Sequence, residues 1–190
     1  MTRQGTQQAK KSRITLGVVI SVATFGIVLP ALFILVSAWL DSTFRFSPML
    51  TFNTAMLLAA FCTVVGLLWI TWSYSYLVFV GKGSPVEAFG IALEPTEELV
   101  TFGPYAYLRH PMIFGVLWVL LGIAFYIRSL SAVMLVPVIA LLAWAHLLIW
   151  EEFGLEKRFG EEYTLYRKNV RALIPHLTPY EPGTVSRHQA

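Results

Sequence analysis

Four charge-free apolar runs divide this chain, at residues 14–40, 51–80, 112–127 and 130–150. An α-helix needs about 20 apolar residues to cross a bilayer, so the first, second and fourth runs are long enough to span, and the third is shorter than a standard span. The pattern predicts an all-α, polytopic membrane protein with transmembrane helices at about 14–40, 51–80, 111–127 and 130–150. Pro30 is the expected kink of the first helix. The polar residues 41–48 make a short turn-forming loop, with Pro48 placed to open the second helix, so the first two spans form a hairpin. Only Arg128 and Ser129 separate the third run from the fourth, which makes those two antiparallel neighbours with Arg128 reaching for the far interface. Beyond Trp150, Leu155, Phe159, Tyr163, Tyr166, Val170 and Leu173 recur at steps of three and four. That period predicts an amphipathic helix over about 151–173, lying on the membrane or capping the bundle. Lys157, Arg158, Arg167, Lys168 and Arg171 fall mostly on its other faces, where they can meet anionic headgroups. Pro175 marks its end, and residues 178–190 are expected to be disordered.

Composition agrees: 56% of the 190 residues are hydrophobic and 13% are charged. Four spans use most of the chain, which leaves one domain over residues 1–190 and no room for a separate soluble core. Arg3, Lys10, Lys11 and Arg13 imitate the basic start of a signal peptide, but the run that follows is too long for a cleaved one, so an uncleaved first span is expected. Cys62 is the single cysteine and sits in an apolar run, which excludes an intrachain disulfide. The net charge of +3 is small, and nucleic acid is not an implied partner. Its distribution matters more. With four crossings the N-terminus, the 81–110 loop and the tail share one side, and of the 14 Lys and Arg residues only Arg45 and Arg128 lie opposite. The positive-inside rule makes the shared side cytoplasmic, with both termini in.

On that side lies a polar cassette. Gly103, Pro104 and Tyr105 signal a turn, and Pro111 starts the third helix just after Arg109 and His110. A helix N-terminus with two basic neighbours suits a carboxylate or phosphate, although Arg109, Tyr105 and Tyr107 also fit a plain headgroup anchor. Glu151 and Glu152 follow the fourth span directly, where a helix end prefers cations. The pair therefore needs a positive partner: Arg109, a basic residue of the tail, or a cationic ligand, while ribose hydroxyls also suit its oxygens. The 81–110 stretch adds Gly81-Lys82-Gly83 and an acidic patch of Glu87, Glu94, Glu97 and Glu98, long and irregular enough to suggest function. His146 reads as a helix-to-helix hydrogen-bonding residue, and Trp69, Trp72, Tyr74 and Tyr76 as an interface belt or a pocket lining.

Taken in order, GKG at 81–83, GPYAYLRHPMIFG at 103–115 and EEFGLEKRFGEEYTLYRKNV at 151–170 resemble the signature of the isoprenylcysteine carboxyl methyltransferase and phospholipid N-methyltransferase superfamily. The likeness runs from Val80 to Pro175, and the order and spacing together are more specific than any one piece. It implies an S-adenosylmethionine site at the cytoplasmic face, without a Rossmann domain or a metal. By the family pattern Gly81 and Gly83 correspond to its glycine motif, Glu151 and Glu152 to its acidic pair, and Gly103, Tyr105, Arg109, His110 and Pro111 to the loop that packs on the cofactor. Ile113 departs from the pattern, where an aromatic residue often stands. The implied reaction is displacement at a sulfonium methyl, toward a lipid or prenylated acceptor that enters from the bilayer. A carboxylate acceptor needs no base, whereas an amine arrives neutral or gives a proton to a group such as His110 or a glutamate. Arg167 and Arg171 are candidates, by charge and position, to hold an acidic group of the acceptor. Two other readings compete: a nicotinamide-dinucleotide reductase related to the sterol reductases, disfavoured by the small number of spans, and a non-catalytic membrane module.

Overall fold

The computed structural model describes residue 19 and residues 23–81 and 98–181, and all of its regular elements are helices. Three of them are long and apolar enough to cross a membrane: Thr24–Phe44, Phe52–Phe79 and the apolar part of Leu130–Asn169. Their large side chains point outward, as with Leu35, Trp39, Leu57, Phe61, Leu141 and Leu142, while Ala55, Ala59, Cys62 and Ala132 are buried. Large apolar groups outside and small ones inside is the arrangement that lipid favours.

The first helix, α1 (Leu29–Phe44), is preceded by a π-helical turn, Thr24–Val28. Pro30 stands in the first turn of the helix and has no N–H to give to the π-helical turn before it. The helix runs past the expected end at residue 40 to Phe44, with Ser42 and Thr43 both donating their hydroxyls to the Trp39 carbonyl at 2.8 Å. Arg45, at φ 55°, stops it. Pro48 does not open the second helix, α2 (Phe52–Phe79); it lies in the loop, whose next residue, Met49, donates its N–H to the Arg128 carbonyl at 3.3 Å.

Along α2 the buried positions are Ala55, Ala59, Cys62, Gly66 and Ser73, all small and repeating every three, four or seven residues. This stripe faces α3 (Pro111–Tyr126), whose Gly115 and Gly122 are buried. A Cβ on Gly66 would stand 2.6 Å from the Gly115 carbonyl oxygen, and one on Gly122 would stand 3.1 Å from the Ala59 carbonyl oxygen. The two backbones touch, which only glycine permits. α3 has 16 residues, about 24 Å of rise, short of the roughly 30 Å hydrocarbon core.

The connection from α3 to α4 (Leu130–His146) has three residues rather than two, since Arg128 at φ 58° leaves Ile127 outside the helix. Ser129 caps α4 by accepting from the Ala132 N–H at 3.0 Å. Arg128 binds this turn to the other loop, donating Nε to the Leu50 carbonyl at 2.9 Å, and Asp41 accepts from the Ser131 N–H at 3.1 Å. Phe33, Leu120, Ala124 and Ala132 form the core between α1, α3 and α4. At its other end α4 passes through a π-helical turn, Leu147–Glu151, into α5 (Glu152–Asn169). The extra residue of a π-turn rotates all that follows, and here it leaves Glu152 fully buried.

The predicted tail helix ends four residues early, at Asn169 rather than 173, and bends at Gly160 (φ 57°, ψ −127°). Val170 turns extended, and the chain then runs beside the 105–110 segment: Arg109 and His110 donate N–H to the Arg171 and Ala172 carbonyls at 2.9 and 3.1 Å. Those non-helical donors need partners, and a helix through residue 173 would have withheld them. The segment expected to be disordered from residue 178 is ordered as far as Glu181. Tyr180 donates its N–H to the Ala106 carbonyl at 2.9 Å and packs on Tyr166 at 5.7 Å. Residues 182–190 lie outside the described residues.

Candidate active site

Two segments far apart in sequence supply the site. The first is the turn 103–110, whose start depends on glycine twice over. Gly103 sits at φ 64°, and a Cβ there would fall 2.4 Å from the Tyr76 ring. The 3₁₀ turn Gly103–Ala106 follows, and His110, at φ −122° and ψ 64° and so neither helical nor extended, hands the chain to Pro111 at the first position of α3. Aromatic contacts brace this segment on α2 and α3: Trp72 lies 6.1 Å from Tyr107 and 5.5 Å from Trp69, which meets Phe114 edge-on at 5.2 Å. The second segment is the π-turn and α5, which present Glu151, Glu152, Tyr163 and Arg167.

These segments meet at Glu152, whose side chain is 0% exposed. Arg109 Nη2 is 2.7 Å from Glu152 Oε1, Arg167 Nε is 3.0 Å from Oε2, and His110 Nε2 is 3.8 Å from Oε1. His110 Nδ1 lies 3.4 Å from Glu151 Oε1, and Arg167 also pairs with Glu156 at 3.2 Å. The charges are paired, but directional hydrogen bonds are missing. Arg109 Nε and Nη1, His110 Nε2, both Glu152 oxygens and the Tyr163 hydroxyl are buried, and the ion pairs and close approaches among them leave these atoms without a well-aligned hydrogen bond among the described residues. Native interiors rarely leave that many polar atoms orphaned in one place, and each such group calls for an explanation.

Burial alone would push the His110 imidazole down, but the Glu151 charge and the contacts with Glu151 and Glu152 outweigh it and the opposing Arg109 charge. His110 is held above its ordinary value of about 6.5. Burial would likewise raise Glu152, yet His110, Arg109 and Arg167 together hold it below the ordinary carboxylate value of about 4.5. A raised histidine contributes stability that is complete below pH about 6.5 and lost as pH rises through the folded-state value. A depressed glutamate contributes stability that is complete above pH about 4.5 and lost as pH falls through its own. The thermal midpoint in detergent should therefore peak between about pH 4.5 and 6.5, and His110→Asn should remove the alkaline decline while keeping the acid one. Identical profiles for the two proteins would refute this assignment.

The other predicted residues divide clearly. Tyr105 and Pro111 are structural in their visible contacts: the Tyr105 carbonyl accepts from Tyr166 Oη at 2.6 Å, and Pro111 is buried at the α3 start. Gly81 is buried and donates its N–H to the Tyr76 carbonyl at 3.2 Å, closing α2. Gly83 lies outside the described residues. The Arg171 side chain is exposed and makes no ion pair among the described residues. The backbone donors expected to greet an anion are already taken at Arg109 and His110. Sequence reasoning missed Glu156, which orients Arg167, and the polar end of Tyr163, which the helical period had absorbed into an apolar stripe. Its one signal was a tyrosine where phenylalanine would pack as well.

The family model of phospholipid methyltransferases matches residues 54–162, more than half of the chain. The chain belongs to the phospholipid methyltransferase family. No curated protein and no solved structure matches it. The matched segment holds α2 from its third residue, α3, α4, Arg109, His110, Glu151 and Glu152, and stops one residue before Tyr163. As a member of this family the protein is a membrane methyltransferase, and membership implies S-adenosylmethionine as its methyl donor. The site's residues fit that group. Its amino-acid head carries a carboxylate and an ammonium, and the orphaned atoms here are donors on Arg109 and His110 and acceptors on Glu152.

Proposed function

We propose that this enzyme methylates a lipid-like or membrane-partitioned acceptor, of the phospholipid amine or isoprenylcysteine carboxylate class, at the cytoplasmic face of the membrane. The observation that carries the reading is the buried cluster of Arg109, His110, Glu151 and Glu152, built where apolar helices end. The proposed arrangement is one domain with four spans and both termini in the cytoplasm, α3 being the short span. The bias of Lys and Arg in the sequence supports that orientation.

In this reading Arg109 and His110 face the carboxylate of the methyl donor, and Glu151 and Glu152 face its ammonium or ribose hydroxyls. When bound, the cofactor supplies an electrophilic sulfonium methyl. The protein's part is orientation, which can lower a barrier by about 7–11 kcal/mol when the reacting groups are well aligned. His110 already faces Glu151 and Glu152, which leaves its ring nitrogens turned toward carboxylates rather than toward an acceptor amine. Glu151, 22% exposed against 0% for Glu152, is the better acceptor at the cluster's edge. Arg167 is committed to Glu152 and Glu156, so Arg171 is left to hold an acidic group of the acceptor.

The experiment is to incubate purified protein in vesicles with methyl-labelled S-adenosylmethionine, a phospholipid extract and a prenylcysteine, and to identify what carries the label. Label in solvent-extractable lipid or in the prenylcysteine is the expected result. Label appearing only in water-soluble products would overturn the acceptor class.

A further inference from the structure

Two tyrosines of α5 invite comparison. Tyr163 and Tyr166 are 1% and 3% exposed and meet edge to face with ring centres 6.2 Å apart. Tyr166 spends its hydroxyl on the Tyr105 carbonyl at 2.6 Å, which ties α5 to the loop that carries Arg109 and His110. The Tyr163 hydroxyl stands in reach of the Arg109 guanidinium, which can only donate to it, so its own proton has no acceptor among the described residues. Burying an unpaired hydroxyl is unfavourable, and phenylalanine would fill the same volume without that cost. Packing therefore accounts for the ring and leaves the oxygen unexplained.

The surroundings of that oxygen point to a ligand. Burial and the charges of Glu152 and Glu151 push the phenol well above its ordinary value while Arg109 pulls the other way, so the hydroxyl keeps its proton and stands beside the same charges as the ion cluster. Arg109 Nε and Nη1 and His110 Nε2 are orphaned as well, on side chains that are 8% and 5% exposed. A carboxylate entering here competes with Glu152 for Arg109, and a neutral hydroxyl donor helps to hold it without adding another buried cation. Both tyrosines are buried, but only one has been left with something to give.

We infer that Tyr163 is a binding residue for the amino-acid head of the methyl donor, its hydroxyl donating to the ligand carboxylate beside Arg109 and His110 while Glu151 and Glu152 face the ammonium. This deepens the proposed function and rests on it.

The test is a calorimetric cycle on the full-length protein with two ligands, S-adenosylhomocysteine and S-adenosyl-3-thiopropylamine, which lacks only the carboxylate. Tyr163→Phe should weaken S-adenosylhomocysteine about tenfold, the scale of one hydrogen bond to a charged group. It should weaken the decarboxylated ligand less than about twofold. Its ligand-free thermal midpoint should stay level or rise, since an unpaired hydroxyl has been removed, whereas Tyr166→Phe should lower the midpoint. Equal losses for the two ligands, no loss for either, or a lowered midpoint in Tyr163→Phe would each overturn the inference while leaving the methyl-donor reading in place. Wild-type protein that binds neither ligand would overturn that reading and this inference together.

Discussion

Glu152→Gln is expected to lower methyl transfer at least about a hundredfold and to destabilise the fold by about 3 kcal/mol, because it leaves buried cations without their shared anion. Glutamine keeps the shape but removes the charge and turns one acceptor oxygen into an NH2 donor facing an arginine, so the loss reads the electrostatics and hydrogen bonding of the cluster. Arg109, 8% exposed and 2.7 Å from the lost oxygen, bears most of the effect. The double variant Arg109→Gln, Glu152→Gln should recover part of the stability, since that pair no longer holds an unmatched charge, and none of the activity. Thermal unfolding in detergent and a labelled-methyl assay check both statements. A fully active Glu152→Gln would contradict the assignment of this carboxylate to the site.

Gly66→Val should be the most damaging change in the spans. Even a Cβ at Gly66 stands 2.6 Å from the Gly115 carbonyl oxygen and 2.7 Å from a Val119 methyl, so the two helices have to separate along the stripe where they touch. The cost is about 2–4 kcal/mol, from overpacking together with the lost contacts of the small-residue seam. Because α3 begins with the residue after His110, the same separation displaces the loop and with it Arg109. Gly154→Ala supplies the contrast: a Cβ there meets nothing within 4 Å, and alanine is the better helix former by about 1 kcal/mol. That variant should unfold at or above the wild-type temperature, whereas Gly66→Val should reach the folded, monodisperse state poorly or not at all.

What could be read from the chain follows from what each feature depends on. Charge-free runs are a local property, so the second and third helices and the start of the fourth were legible to within a residue or two, and the loop entering Pro111 was legible from its turn residues. The gathering of Arg109, His110, Glu151 and Glu152 followed from charge at matching ends of adjacent helices. Features set by distant partners were not legible. Asn169 ends α5 because the backbone donors of Arg109 and His110 need acceptors some 60 positions away along the chain, and no local period carries that demand. Tyr180 is ordered for the same reason, through the Ala106 carbonyl. The π-turn before Glu152 leaves no mark in composition, yet it sets which glutamate is buried. Tyr163 fitted the apolar period by its ring, and the period has no means of registering one buried oxygen.

The most direct measurement is a calorimetric titration of the purified wild-type protein in lipid nanodiscs with S-adenosylhomocysteine and, separately, with NADPH. Saturable binding of S-adenosylhomocysteine at one site per chain, with no heat from NADPH, is the predicted result. Saturable binding of NADPH with none of S-adenosylhomocysteine would contradict the account.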